Sequence, residues 1–140
     1  MKMNRAGVLL DTGPLVALLD PRDIHHERAK RMIGACAPPL RTCEAVVAEA
    51  SYLISKNDPA GRVGVLTLGR RGTYEIALRL DEHWIEIQGT LTKYRDQPAS
   101  LADACLIRCA ELHDEPRIVT FDADFRIYRW GRNKPFDILD

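Results

Sequence analysis

The stretch Val8-Leu9-Leu10-Asp11-Thr12-Gly13-Pro14-Leu15-Val16-Ala17-Leu18-Leu19 changes its character at a single residue. Val8-Leu9-Leu10 is a short, continuous apolar run, the pattern of a central parallel strand covered on both faces. Asp11 ends it. Pro14 then stands near the start of a second apolar segment, where its fixed φ suits a first helical turn, and Pro21 closes that helix. A buried strand that passes through an acid into a helix is half of a β-α unit, and strands alternating with helices build a parallel sheet.

The rest of the chain continues the alternation. The spacing predicts a helix over 25–35, with Ala29, Met32 and Ile33 on one side, a break at Pro38-Pro39, and a short strand at Leu40-Arg41-Thr42. Glu44 to Ser55 reads as a strong helix, since Val46, Val47, Ala50, Leu53 and Ile54 share a face at about 100° per residue. Glu49 falls at the margin of that face and Glu44 nearly opposite it. A turn at Asn57-Asp58-Pro59, a weaker helix over 62–70 and a break at Arg70-Arg71-Gly72 follow. Tyr74, Ile76, Leu78 and Leu80 alternate with Glu75, Ala77 and Arg79, which predicts a strand over 74–80 with one face better covered. Trp84, Ile87, Leu91 and Tyr94 keep helical spacing. A second strong helix over 100–113 carries Leu101, Cys105, Cys109 and Leu112 along one stripe. Ile118-Val119-Thr120 is another short strand, ending at Phe121-Asp122, and 136–139 is a last edge strand. The expected architecture is one α/β domain over 1–140, an α/β/α sandwich around a central, mostly parallel sheet of about four to five strands.

Lys+Arg and Asp+Glu are equal at 20 each, so no global basic field marks the chain as a passive nucleic-acid coat. An enzyme with a local basic rim remains compatible. The apolar segment 6–19 is interrupted by Asp11 and Gly13-Pro14 and lacks a small-residue cleavage site, which argues against a signal peptide. Nothing approaches a membrane span in length. Cys36, Cys43, Cys105 and Cys109 form no CxxC pair and are expected as buried, reduced thiols, in keeping with the cytoplasm.

The chemistry lies in four acids, each adjoining an apolar run: Asp11, Glu49, Asp103 and Asp122. Several acids at the edge of a core cost free energy unless a positive charge sits among them, and the simplest such charge is a hard divalent cation. In parallel α/β sheets ligands bind beyond the carboxyl ends of the strands, where Asp11 and Asp122 both fall. Mg2+ or Mn2+ held by acids next to open water is a nuclease-type site. Each acid also has a plainer reading. Asp103 stands three residues after Ser100, a capping-box spacing that needs no metal. Glu49 suits an exposed ion pair, and Asp122 with Asp124 suits an acidic turn. Thr12 and Thr120 offer hydroxyls for a water or phosphate, or for local backbone. Arg126, Arg129, Arg132 and Lys134 form a candidate phosphate-contacting rim, or a solvated basic face. Adjacent His25 and His26 point apart on a helix, which favours surface roles.

Four motifs together resemble the PIN domain, and more closely its VapC-like toxin branch, over essentially the whole chain. They are 9–17 (LLDTGPLVA), 42–50 (TCEAVVAEA), 100–104 (SLADA) and 119–125 (VTFDADF). The resemblance implies that Asp11, Glu49, Asp103 and Asp122 form an acidic quartet, with Asp124 accessory and Thr120 a supporting hydroxyl. It further implies a Mg2+- or Mn2+-dependent endoribonuclease, homodimeric and silenced by a cognate antitoxin. Three other readings stand beside it. A phosphotransferase with Asp11 as nucleophile commonly wants a second acid at position 13, which is glycine. A phospho-receiver wants an acidic pair after the first strand and a lysine after the last. A non-catalytic PIN-like module would bind RNA or a partner without cutting.

Overall fold

Strand β1 (Leu9–Leu10) is two residues long, yet Val8, Leu9 and Leu10 are wholly buried in the computed structural model, which describes residues 6–139. Residues 1–5 and 140, at the ends of the expected domain, lie outside the described residues. Helix α1 (Thr12–Leu19) begins immediately after Asp11, its N-cap, and α2 (His26–Gly34) packs beside it with Ala29, Met32 and Ile33 buried. Strand β2 (Leu40–Thr42) runs into α3 (Glu44–Ser55), which packs on α1 and on α4 (Gly61–Arg70). Gly72, at φ 83°, makes the turn that a side chain would strain and returns the chain to β3 (Tyr74–Ile76). Helix α5 (Trp84–Lys93) packs on α6 (Leu101–His113), and β4 (Arg117–Val119) follows.

The sheet has five strands in the order β3-β2-β1-β4-β7, the last being β7 (Asp137–Leu139), and every pairing in it is parallel. Leu9 pairs with both Arg41 and Ile118, so β1 is the central strand. That position explains its continuous apolar run, since both faces are covered. Helices flank the sheet as an α/β/α sandwich. Because the strands are parallel, Asp11, Thr42 and Thr120 all emerge at one edge.

The expected strand over 74–80 is shorter than its alternation suggested. Ala77 N–H still bonds the Thr42 carbonyl (2.9 Å), but β2 offers nothing further to pair with, and 80–82 coil into a 3-10 turn. Ile76, on the supposedly covered face, is 44% exposed. Helix α6 is also buried more broadly than one stripe: Ala102, Ala104, Leu106, Ile107 and Ala110 are buried with the cysteines, while Leu101 and Leu112 are half exposed. The basic segment contains an unforeseen antiparallel hairpin, β5 (Arg129–Trp130) and β6 (Lys134–Pro135), turned by Gly131 and Asn133 at positive φ. All four cysteines are free and buried. The neighbouring Cys105 thiol, and then burial, push the Cys43 thiol up.

Candidate metal centre

Asp11 is the hub of the strand edge. Its Oδ1 accepts from Thr12 N–H (2.8 Å), capping α1, and its Oδ2 accepts from the Thr120 hydroxyl (2.6 Å). The Thr120 oxygen in turn accepts from Asp122 N–H (3.0 Å). One hydroxyl therefore ties the ends of β1 and β4 and fixes where Asp122 starts. Asp122 Oδ1 accepts from Asp124 N–H (2.9 Å), which opens a 3-10 turn over Ala123–Arg126. Asp124 thus serves the turn through its backbone.

Asp103 comes from α6. The capping box read from the sequence is formed: Ser100 Oγ accepts from Asp103 N–H and Asp103 Oδ2 accepts from Ser100 N–H, both at 3.1 Å. The cap holds the side chain at the site, so the structural role and the ligand role are compatible. Tyr128, fully buried and invisible to spacing arguments, donates to the same Oδ2 (3.3 Å). Asp11, Asp103 and Asp122 each place a carboxylate oxygen within 4.8 Å of the others.

The electrostatics of this trio are unfavourable without a cation. Burial pushes Asp11 up to about 7, with Asp103 and Asp122 adding repulsion, while the Thr120 and Thr12 hydrogen bonds oppose the rise. Burial and the neighbouring Asp122 also raise Asp103, against the Ser100 and Tyr128 bonds. Glu49, half-buried on α3, stands outside the trio; burial and then Asp103 raise it. The Thr12 hydroxyl faces Glu49 closely enough to favour its charged form. It nevertheless meets no acceptor or donor in hydrogen-bonding geometry, and among the described residues it is the buried side-chain oxygen left without a partner. Three converging hard oxygen donors beside an orphaned buried hydroxyl fit an Mg2+ or Mn2+ ion with its waters.

Replacing Tyr128 by Phe removes one outer bond to Asp103 while keeping the ring, which packs edge-on to Tyr94 and Phe125. The expected outcome is about tenfold weaker Mn2+ binding by calorimetric titration. The metal-free melting temperature should change by no more than a few degrees, as expected from ~1 kcal/mol.

The basic rim separates into parts. Arg126 lies beside the site, lining a pocket with Asp122. Arg129 instead donates to the carbonyls of Arg126, Ile127 and Tyr128. Lys134 pairs with Asp114 (3.8 Å) and lies over Trp130, and Arg132 is exposed in the hairpin turn. His25 packs on Phe121 and His26 bonds the Ala17 carbonyl, so both brace α1, α2 and the β4 loop.

A family model described as PIN domain matches residues 8–131. Ribonuclease VapC26 of Mycobacterium tuberculosis is 31% identical over 121 residues, covering 82% of this chain and 86% of that protein. The fold matches the crystal structure of VapC20 from Mycobacterium tuberculosis, described as a sarcin-ricin loop cleaving toxin. The TM-score is 0.76 at 20% identity, covering 91% of this chain and 99% of that one. The motifs, the parallel sheet and the match over 8–131 agree: the chain belongs to the PIN domain family.

Proposed function

We propose that this chain is a Mg2+- or Mn2+-dependent endoribonuclease that hydrolyses RNA phosphodiester bonds as the toxin of a toxin–antitoxin pair. The observation that carries this reading is the Asp11–Asp103–Asp122 trio, gathered from two strand ends and one helix start. When bound, a divalent cation supplies charge for the phosphoryl oxygen and acidifies a coordinated water. Asp11 is held in place by Thr12 N–H and the Thr120 hydroxyl, and Asp103 by its cap and Tyr128. We assign Glu49, half-buried on α3 and raised by burial, the role of completing the shell or orienting the attacking water. Family membership and the ribonuclease name of the 31%-identical relative support the same chemistry.

The reading gives the protein an RNA substrate, a cognate antitoxin and a second copy of itself as partners. Helices α3 and α4 leave Tyr52, Val63 and Leu66 more than half exposed, an apolar surface suited to a protein partner. No helix among the described residues is long and apolar enough to cross a membrane.

The test is incubation of the purified protein with total RNA, followed by mapping of new RNA ends. Discrete internal cuts that need Mn2+ or Mg2+ and vanish with chelator are expected. Cutting that persists in chelator would refute the metal-dependent site.

A further inference from the structure

The geometry points to a phosphate subsite next to the proposed metal centre: Arg28 and Arg126 flank a pocket that takes the RNA phosphate neighbouring the scissile one. This inference rests on the ribonuclease reading above and says where the chain would hold its substrate beyond the cut bond.

The pocket has a volume of about 330 Å³ and is built from Arg28 on α2, Thr120 to Ala123 after β4, Arg126 at the end of the 3-10 turn, and Ile138 on β7. Asp122 belongs to both the pocket wall and the acidic trio, so the two sites are continuous. RNA carries one phosphate per nucleotide, so a phosphate seated at the trio brings a charged neighbour along the strand. With 20 basic and 20 acidic residues, the chain has no general field to draw a polyanion, and a local pair of cations must do it.

Arg126 differs from the other members of the basic rim, and Arg28 on α2 lines the same pocket. Arg28 lies with its guanidinium 4.8 Å from the centroid of the Phe121 ring, and both residues line the pocket. The Arg126 side chain is exposed and makes no hydrogen bond or ion pair among the described residues. By contrast, Arg129 is spent on backbone carbonyls, and Lys134 on Asp114 and Trp130. Two planar guanidinium forks suit phosphate oxygens. Phe121 and Ile138 give the pocket an apolar wall against which a ribose can pack.

The experiment measures binding of a fluorescent single-stranded oligouridylate to the full chain in Ca2+ buffer, over a range of salt, by anisotropy. The proteins are wild type, Arg126→Gln, Arg28→Gln, Arg28→Lys and Arg132→Gln. Each Gln variant in the pocket should weaken binding about tenfold and lower the slope of log K against log salt by about 0.7. Arg28→Lys should keep the slope, and Arg132→Gln should match wild type throughout. Arg126 is exposed, so its variant cannot lose binding through misfolding, and melts in Mn2+ report the metal centre separately. An unchanged affinity and slope in Arg126→Gln and Arg28→Gln would overturn the subsite while wild-type stabilisation by Mn2+ leaves the metal centre standing. Absence of that stabilisation in wild type would instead strike the ribonuclease reading, and the subsite falls with it.

Discussion

Asp11→Asn is expected to lower RNA cleavage on the order of 10³-fold, with the fold intact and, above about pH 8, a higher melting temperature without metal. The substitution removes one ligand charge from the trio but keeps an oxygen that can accept from Thr12 N–H or Thr120. The stability effect has a definite sign. Burial holds Asp11 at about 7, so the wild-type group is protonated in mildly acid buffer and an asparagine there changes little. Above that value the wild type carries a buried negative charge facing Asp103 and Asp122, which the neutral variant lacks. Turnover on RNA and paired melts at acid and alkaline pH check both halves. Retained cleavage in the folded variant would remove Asp11 from the proposed catalytic centre.

The metal-free wild type should itself lose stability as pH rises. Asp11, Asp103 and Glu49 are all raised in the folded state, chiefly by burial, with repulsion from neighbouring carboxylates adding to it. Between the unfolded carboxylate range and about 7, the folded protein therefore binds more protons than the unfolded chain, and stability falls as pH increases through that window. Asp11 alone moves from 3.8 to about 7, so going from about pH 5 to about pH 8 should cost roughly 3 kcal/mol, or about 10 °C in melting temperature. Saturating Mn2+ should flatten or reverse the trend, because a cation favours the deprotonated acids and binds them better at higher pH. Melts in chelator and in Mn2+ across that range decide it. A metal-free protein that gains stability toward alkaline pH would contradict the electrostatic account of the trio.

The sequence made the frame of this molecule readable because its core signals are local. Val8-Leu9-Leu10 could be assigned to a central strand from apolar continuity alone, and the Ser100–Asp103 spacing announced a cap that the structure contains. Asp11, Asp103 and Asp122 each stood beside such a signal, which is why their convergence was foreseeable from topology. Glu49 was legible as a margin residue, and its half-buried place just outside the trio reflects that. What the sequence concealed depends on partners distant in the chain. Tyr128 reaches Asp103 only because the segment after β4 folds back under α6, and no periodicity encodes that bond. The roles of Arg28 and Arg126 likewise emerge only when α2 and the loop after β4 share one pocket. The strand over 74–80 was overread because alternation says nothing about how long its neighbour is.

The central claim, that three carboxylates from separate elements form one cation site, is tested most directly by calorimetric titration of Mn2+ into wild type and Asp103→Asn. Asparagine can keep accepting from Ser100 N–H and Tyr128, so the far-UV circular dichroism of the variant should match wild type. The account predicts saturable binding to wild type, accompanied by proton release near neutral pH, and affinity about 100-fold weaker in the variant. Equal affinity in the two proteins would show that Asp103 is only the cap of its helix and that the trio is not a metal centre.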